Sequence, residues 1–166
     1  GVVQVFTREP VDGLQRSAVI GLGSDGQRQA GASLQGSSGA LGYALGLSHE
    51  RATGINVKTP AASGFNSDED GYEFTSFDAS LRWKLDKQHS LGLNLLASDG
   101  EYDFDGAPFP APTGVTAANT QAVSESSLRQ ATLDWKAQWT EHWLSTLTIG
   151  RSEDLSPSRY WSQASG

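Results

Sequence analysis

The chain has 166 residues, room for one domain with a core or for seven or eight strands. It has no cysteine and a net charge of −7, which excludes disulfide and thiolate-zinc scaffolds and leaves no nucleic acid among the expected partners. Its 19 glycines, with no apolar run near about 18 residues, point to an all-β chain without a transmembrane helix.

In chain order, Val2, Val3, Val5 and Phe6 predict a short strand, closed by Arg8-Glu9-Pro10 and a turn at Val11-Asp12-Gly13. The opening, GVVQVFTR, has no initiator Met and no visible signal peptide. It reads as a processed chain, an excised fragment or a designed piece. Leu14 to Gly23 is the next strand, turning at Ser24-Asp25-Gly26. Gln27 to Gln35 returns, Gly36 to Gly39 turns again, and Leu41 to His49 follows. A long polar loop is expected over about 51–73. The clearest unit is Phe77 to Gly100. Phe77, Ala79, Leu81, Trp83 and Leu85 alternate with polar residues, a turn covers Asp86 to His89, and Leu91, Leu93, Leu95 and Ala97 alternate again. A second long loop, about 100–124, carries Pro108, Pro110 and Pro112. Ala131, Leu133, Trp135, Ala137 and Trp139 mark a strand, Thr140-Glu141-His142 a turn, and Trp143, Leu147 and Ile149 a last strand. The tail after Arg151 is expected to be polar and irregular.

A hairpin with one apolar face fits two settings. In a soluble β-sandwich that face meets a core. In an outer-membrane barrel it meets lipid, and the polar face lines a wet lumen. The connections separate the two. In an up-and-down meander alternate connections fall at opposite ends, so the short turns share one end and both long loops the other. That is the barrel arrangement. Trp83, Trp139 and Trp143 fall near the short turns, where an aromatic girdle belongs. In a sandwich they would be core anchors. The expected fold is therefore all-β, an antiparallel up-and-down meander of a transmembrane β-barrel.

Acidic residues gather at the long-loop end. Asn66, Asp68, Asp70 and Gly71 lie in one loop; Asp99, Glu101, Asp103 and Asp105 flank the other; Glu153 and Asp154 share that end. Hard oxygen ligands suit calcium. The first group copies half of an EF-hand loop, but Phe77 stands where the bidentate Glu is needed, so it is not an EF-hand. Calcium bridging the loops through Asp68, Asp70 and Asp103 remains one reading. An ordinary solvated acidic loop is the other. His49, His89 and His142 do not cluster, and no GxSxG, HExxH, Walker or GxGxxG pattern stands in context, so no enzyme is expected.

The succession GVVQVFTR, a glycine-rich strand pair, YALGLSHERATGIN and NSDEDGYEFTSFDASLRWKL resembles TonB-dependent outer-membrane transporters, and within them the cobalamin branch. The resemblance implies that residues 1–9 end a plug and lead into the barrel. Residues 10–166 would then be a barrel segment with extracellular loops at about 51–73 and 100–124. It implies calcium held by Asp68, Asp70 and Asp103, with Asn56 where that branch has an aspartate, and substrate contacts at Tyr102 and Phe104. The implied partners are cobalamin or another large nutrient, outer-membrane lipid, and TonB through an N-terminal part this sequence lacks. The implied location is the bacterial outer membrane. Such a transporter has about 22 strands around a plug, so this chain would be a fragment or a small closed barrel of about eight strands. A siderophore transporter of the same superfamily, a stand-alone small barrel and a soluble sandwich binding module are the alternatives.

Overall fold

The computed structural model describes residues 10–62 and 65–162. The strands are β1 (Leu14–Leu22), β2 (Arg28–Ser38), β3 (Leu41–Ile55), β4 (Asp70–Lys84), β5 (His89–Phe104), β6 (Thr120–Thr140), β7 (Trp143–Leu155) and β8 (Ser158–Ser162). A single 3₁₀ turn, Ala117–Asn119, precedes β6. The expected strand at Val2–Phe6 and the lead-in over 1–9 lie outside the described residues.

Each strand from β1 to β7 pairs antiparallel with the next, giving one sheet in the order β1-β2-β3-β4-β5-β6-β7. This is the all-β meander that the period-two pattern predicts. β8 is not a further row. Leu155 faces Ser127 and Ser158 faces Ser124, an unbroken register along one edge of β6. The break falls at Ser156-Pro157, where proline has no N–H to donate; the Glu125 N–H still reaches the Pro157 carbonyl at 2.9 Å. The expected irregular tail is therefore corrected: from Arg151 to Ser162 the chain stays along β6, apart from the break at Ser156-Pro157. Among the described residues β1 and β7 do not pair, so the sheet is open and no second sheet packs on it.

Both long loops are shorter than expected. β3 runs on to Ile55 and β4 starts at Asp70, leaving residues 56–69 as loop. β5 runs to Phe104 and β6 starts at Thr120, leaving 105–119. At these strand ends both faces carry polar residues, so alternation vanishes although the ladder continues. The ends do separate. The β2–β3, β4–β5 and β6–β7 turns share one end, and both long loops share the other with the β1–β2 turn. That turn has Asp25 at φ 55° and Gly26 at φ 71°, the type I′ geometry favoured for two-residue hairpins. The Asp25 carbonyl accepts the N–H groups of Thr53 and Gly54 at 3.0 and 3.1 Å, tying the turn to the bulged end of β3.

Direct cross-strand partners share a face. One row reads Leu41, Trp83, Leu91, Trp135, Leu147, and another Leu45, Ala79, Leu95, Ala131. The apolar face is thus continuous across the sheet, and it is exposed. Leu47, Leu133, Leu147 and Ile149 are all about half exposed or more. The buried apolar residues are four alanines and Val123. The accessible surface is 11446 Å², against about 7,900 Å² for a compact protein of this mass. A sandwich core would need the opposite burial.

On the polar face, the Phe74 ring lies flat on Gly100, its direct partner, and occupies the place of a Cβ. Gly100→Ala is expected to cost roughly 1–3 kcal/mol by displacing that ring. Gly150→Ala, whose Cβ would meet only near-ordinary contacts, should cost less. Thermal unfolding of the two variants checks the difference.

Candidate functional site at the long-loop end

The polar face carries a hydrogen-bond chain across four strands. Ser80 Oγ donates to Asn94 Oδ1 at 3.1 Å, Asn94 Nδ2 to Asp134 Oδ2 at 3.2 Å, and Thr148 Oγ1 to Asp134 Oδ1 at 2.8 Å. Ser76 and Ser98 pair at 2.9 Å. These groups satisfy one another, so the face can stay wet yet hold its shape.

Toward the long loops the same face turns aromatic. Tyr72 and Tyr102 are direct cross-strand partners. Tyr72 and Phe74 lie 6.1 Å apart, Tyr102 and Phe104 6.2 Å, and Phe104 meets Tyr160 edge-on at 5.9 Å. Tyr102 and Phe104, the expected substrate contacts, therefore belong to a five-ring wall. Spacing alone does not single out Tyr72, Phe74 and Tyr160; strand parity and the register of β5, β6 and β8 put all five rings on one face. The Tyr72 hydroxyl donates to Glu50 Oε1 at 2.5 Å. That bond first, and one from Gln27, hold the Glu50 carboxyl below its usual range, at a position beyond the apolar band.

The first long loop folds back on itself. The Asn56 amide donates to the Asn66 carbonyl, and Asn56 Oδ1 accepts the Lys58 N–H at 3.0 Å. Asn56 thus shapes the loop with both of its polar groups. Asn66 is 3 % exposed; its Nδ2 donates to the Thr120 carbonyl at 3.2 Å and its Oδ1 accepts the Ser67 N–H. It fastens the first loop to the start of β6.

The structure draws Asp68, Asp70, Asp103 and also Asp105 into one acidic neighbourhood. Burial pushes the Asp68 carboxyl up, and the charges of Asp70 and Asp105 add to it. Burial likewise raises Asp103, which sits beyond the apolar band; its carboxylate accepts the Gly71 N–H, and Glu101, Asp68 and Asp70 repel it. Asp70 Oδ2 accepts the Val57 N–H at 2.9 Å. Asp68 Oδ1, Asp70 Oδ1 and both Asp105 carboxylate oxygens are buried without a hydrogen bond. Lys58 Nζ stands 4.0 Å from Asp105 Oδ2. Buried oxygens of this kind suit a hard cation. Among the described residues, however, no three Asp, Glu or His side chains form a closed metal-holding group. Asp105 was passed over in sequence because spacing alone does not show burial.

At the other end, Trp83, Trp139 and Trp143 all share the apolar face, 53 %, 45 % and 62 % exposed. Trp135 joins them: His89 stacks on it at 5.7 Å and meets Trp139 edge-on at 5.4 Å. Comparison with family models, curated proteins and solved structures returns no match.

The raised carboxyls set a pH dependence. Both Asp68 and Asp103 lie above the ordinary 3.8, so between that value and their raised ones the native state holds more protons than the unfolded state. Their contribution therefore falls as pH rises through that window. Without divalent cations, Asp68→Asn with Asp103→Asn is expected to unfold at a higher temperature than the parent at pH 7. The gap should close as pH drops toward 3.8. Unfolding midpoints across pH check it.

Proposed function

We propose that this chain is part of an outer-membrane transporter for a large nutrient, of the TonB-dependent kind, and that its work is binding and gating rather than catalysis. One observation carries the reading. A single sheet exposes a continuous apolar band on one face and a bonded polar lining on the other, with both long loops at one end. The apolar band of β4 runs from Phe77 to Trp83 and, with Leu85 just past the strand end, spans nine residues, against about 9–11 for a strand crossing a bilayer. The tryptophans at the short-turn end fit an interfacial girdle.

On this reading the loop-end mouth takes the substrate. The ring wall of Tyr72, Phe74, Tyr102, Phe104 and Tyr160 offers stacking area to a broad conjugated ligand, which supports a cobalamin-like corrinoid. Calcium would sit among Asp68, Asp70, Asp103 and Asp105, where it would supply positive charge to the unsatisfied oxygens of Asp68, Asp70 and Asp105. These residues bind across the two long loops and so order them. Asn56 shapes the first loop. Energy coupling through TonB is assigned to no residue of this chain.

The test is far-UV circular dichroism with sedimentation, in buffer and in detergent. The chain is expected to reach its β-sheet content as a discrete species only in detergent. A β-rich monodisperse monomer in plain buffer would sink the membrane reading. In detergent, calcium is expected to raise the unfolding temperature, and Asp68→Ala with Asp105→Ala to abolish that rise. An undiminished rise in the double variant would remove those aspartates from the site.

A further inference from the structure

We propose that the loop-end rim of the apolar face docks a phosphoethanolamine lipid headgroup, with Arg28 and Arg51 on its phosphate and Glu73 and Glu101 on its ammonium. The inference rests on the membrane-facing reading of that face.

The register places the four residues in one row. Arg28 faces Arg51, Arg51 faces Glu73, and Glu73 faces Glu101. The row is positive across β2 and β3 and negative across β4 and β5, and it continues to Glu125 on β6, which faces Glu101. Counting Glu125, like charges stand directly opposite each other three times, which destabilises a sheet unless something answers them. Among the described residues none of the four makes a side-chain hydrogen bond or ion pair, although Arg51 and Glu73 are direct partners. Their neighbours do pair. Arg129 grips Asp99 with bonds of 2.7 and 2.5 Å, and Arg159 holds Glu125 at 2.8 Å. The four residues line one cavity of about 450 Å³ beside Gly26 and Thr53, and Glu69 and Asp103 add to its acidic side.

The row also touches the apolar surface. Leu22, 82 % exposed, is the direct partner of Arg28, and Ile20, 85 % exposed, lies one row further toward the short turns. An acyl chain lying along these residues brings its headgroup to the arginines. Guanidinium groups match phosphate oxygens in paired hydrogen bonds. In phosphoethanolamine two carbons separate phosphate from amine, close to one strand spacing of about 4.8 Å. A primary ammonium has three N–H donors for the glutamates. A choline headgroup has none, and a glycerol headgroup lacks the positive charge.

The chain is offered an equal mixture of phosphatidylethanolamine, phosphatidylglycerol and phosphatidylcholine in detergent, and retained lipid is read by native mass spectrometry. Phosphatidylethanolamine should be retained about tenfold over each of the others. Arg28→Gln with Arg51→Gln, and separately Glu73→Gln with Glu101→Gln, should each erase the preference while leaving the unfolding temperature within a few degrees. Equal retention of phosphatidylglycerol, or a preference that survives either pair, overturns the proposal. So does complete displacement by equimolar soluble phosphoethanolamine, which would mean that the headgroup is read without the membrane. Quenching of tryptophan fluorescence by brominated acyl chains separates the two levels. Quenching without selectivity overturns the headgroup site and keeps the membrane-facing reading. No quenching overturns both.

Discussion

One ladder of antiparallel backbone hydrogen bonds holds this molecule together, and almost nothing else does. Among the described residues no second layer covers the apolar face, and the largest fully buried side chains are Thr120 and Ser80. Leaving a large aliphatic side chain in water forgoes about 1.5–3 kcal/mol. Leu45, Leu47, Leu133, Leu147 and Ile149 are each roughly half exposed, so together they forgo roughly 4–8 kcal/mol, a large share of the stability of an ordinary domain. On the membrane-facing reading proposed above, that surface would be covered by something apolar outside the sheet. Lipid does this without a complementary shape, which suits a band whose side chains alternate between leucine, alanine and aromatic rings.

The loop end works under a different constraint. There the backbone ladder thins out and side chains take over. The Asp25 carbonyl grips the bulged end of β3, Asn66 fastens one loop to β6, and Asp70 caps the start of that loop. Polar bonds set the frame, yet several aspartate oxygens are left buried and unanswered. A frame built around unanswered charge gains order when a cation arrives. In the proposed transporter this would couple loop order to the ring wall beside it.

Much of the fold was legible because period-two alternation survives wherever one face is apolar. β4 and β5 show it without a slip from Phe77 to Ala97. The strand ends were not legible, since Glu50 to Ile55 and Ser124 to Ser127 offer no apolar face to count. Pro157 hid β8, because a proline usually ends a strand and here interrupts one only locally. In the site, spacing brought Asp68, Asp70 and Asp103 forward. It could not find Asp105, whose weight comes from its 2 % side-chain exposure. The ring wall needed register: Tyr160 reaches Phe104 only because β8 keeps the register of β7.

The run of seven rows has an arithmetic consequence. In a meander successive strands reverse direction, so β1 and β7 point the same way. A closed cylinder of wholly antiparallel strands needs opposite directions at its seam. This sheet therefore cannot zip its own two edges together in that manner. Two copies standing the same way up fail at both seams for the same reason. An odd number of additional strands restores the alternation, and an even number does not.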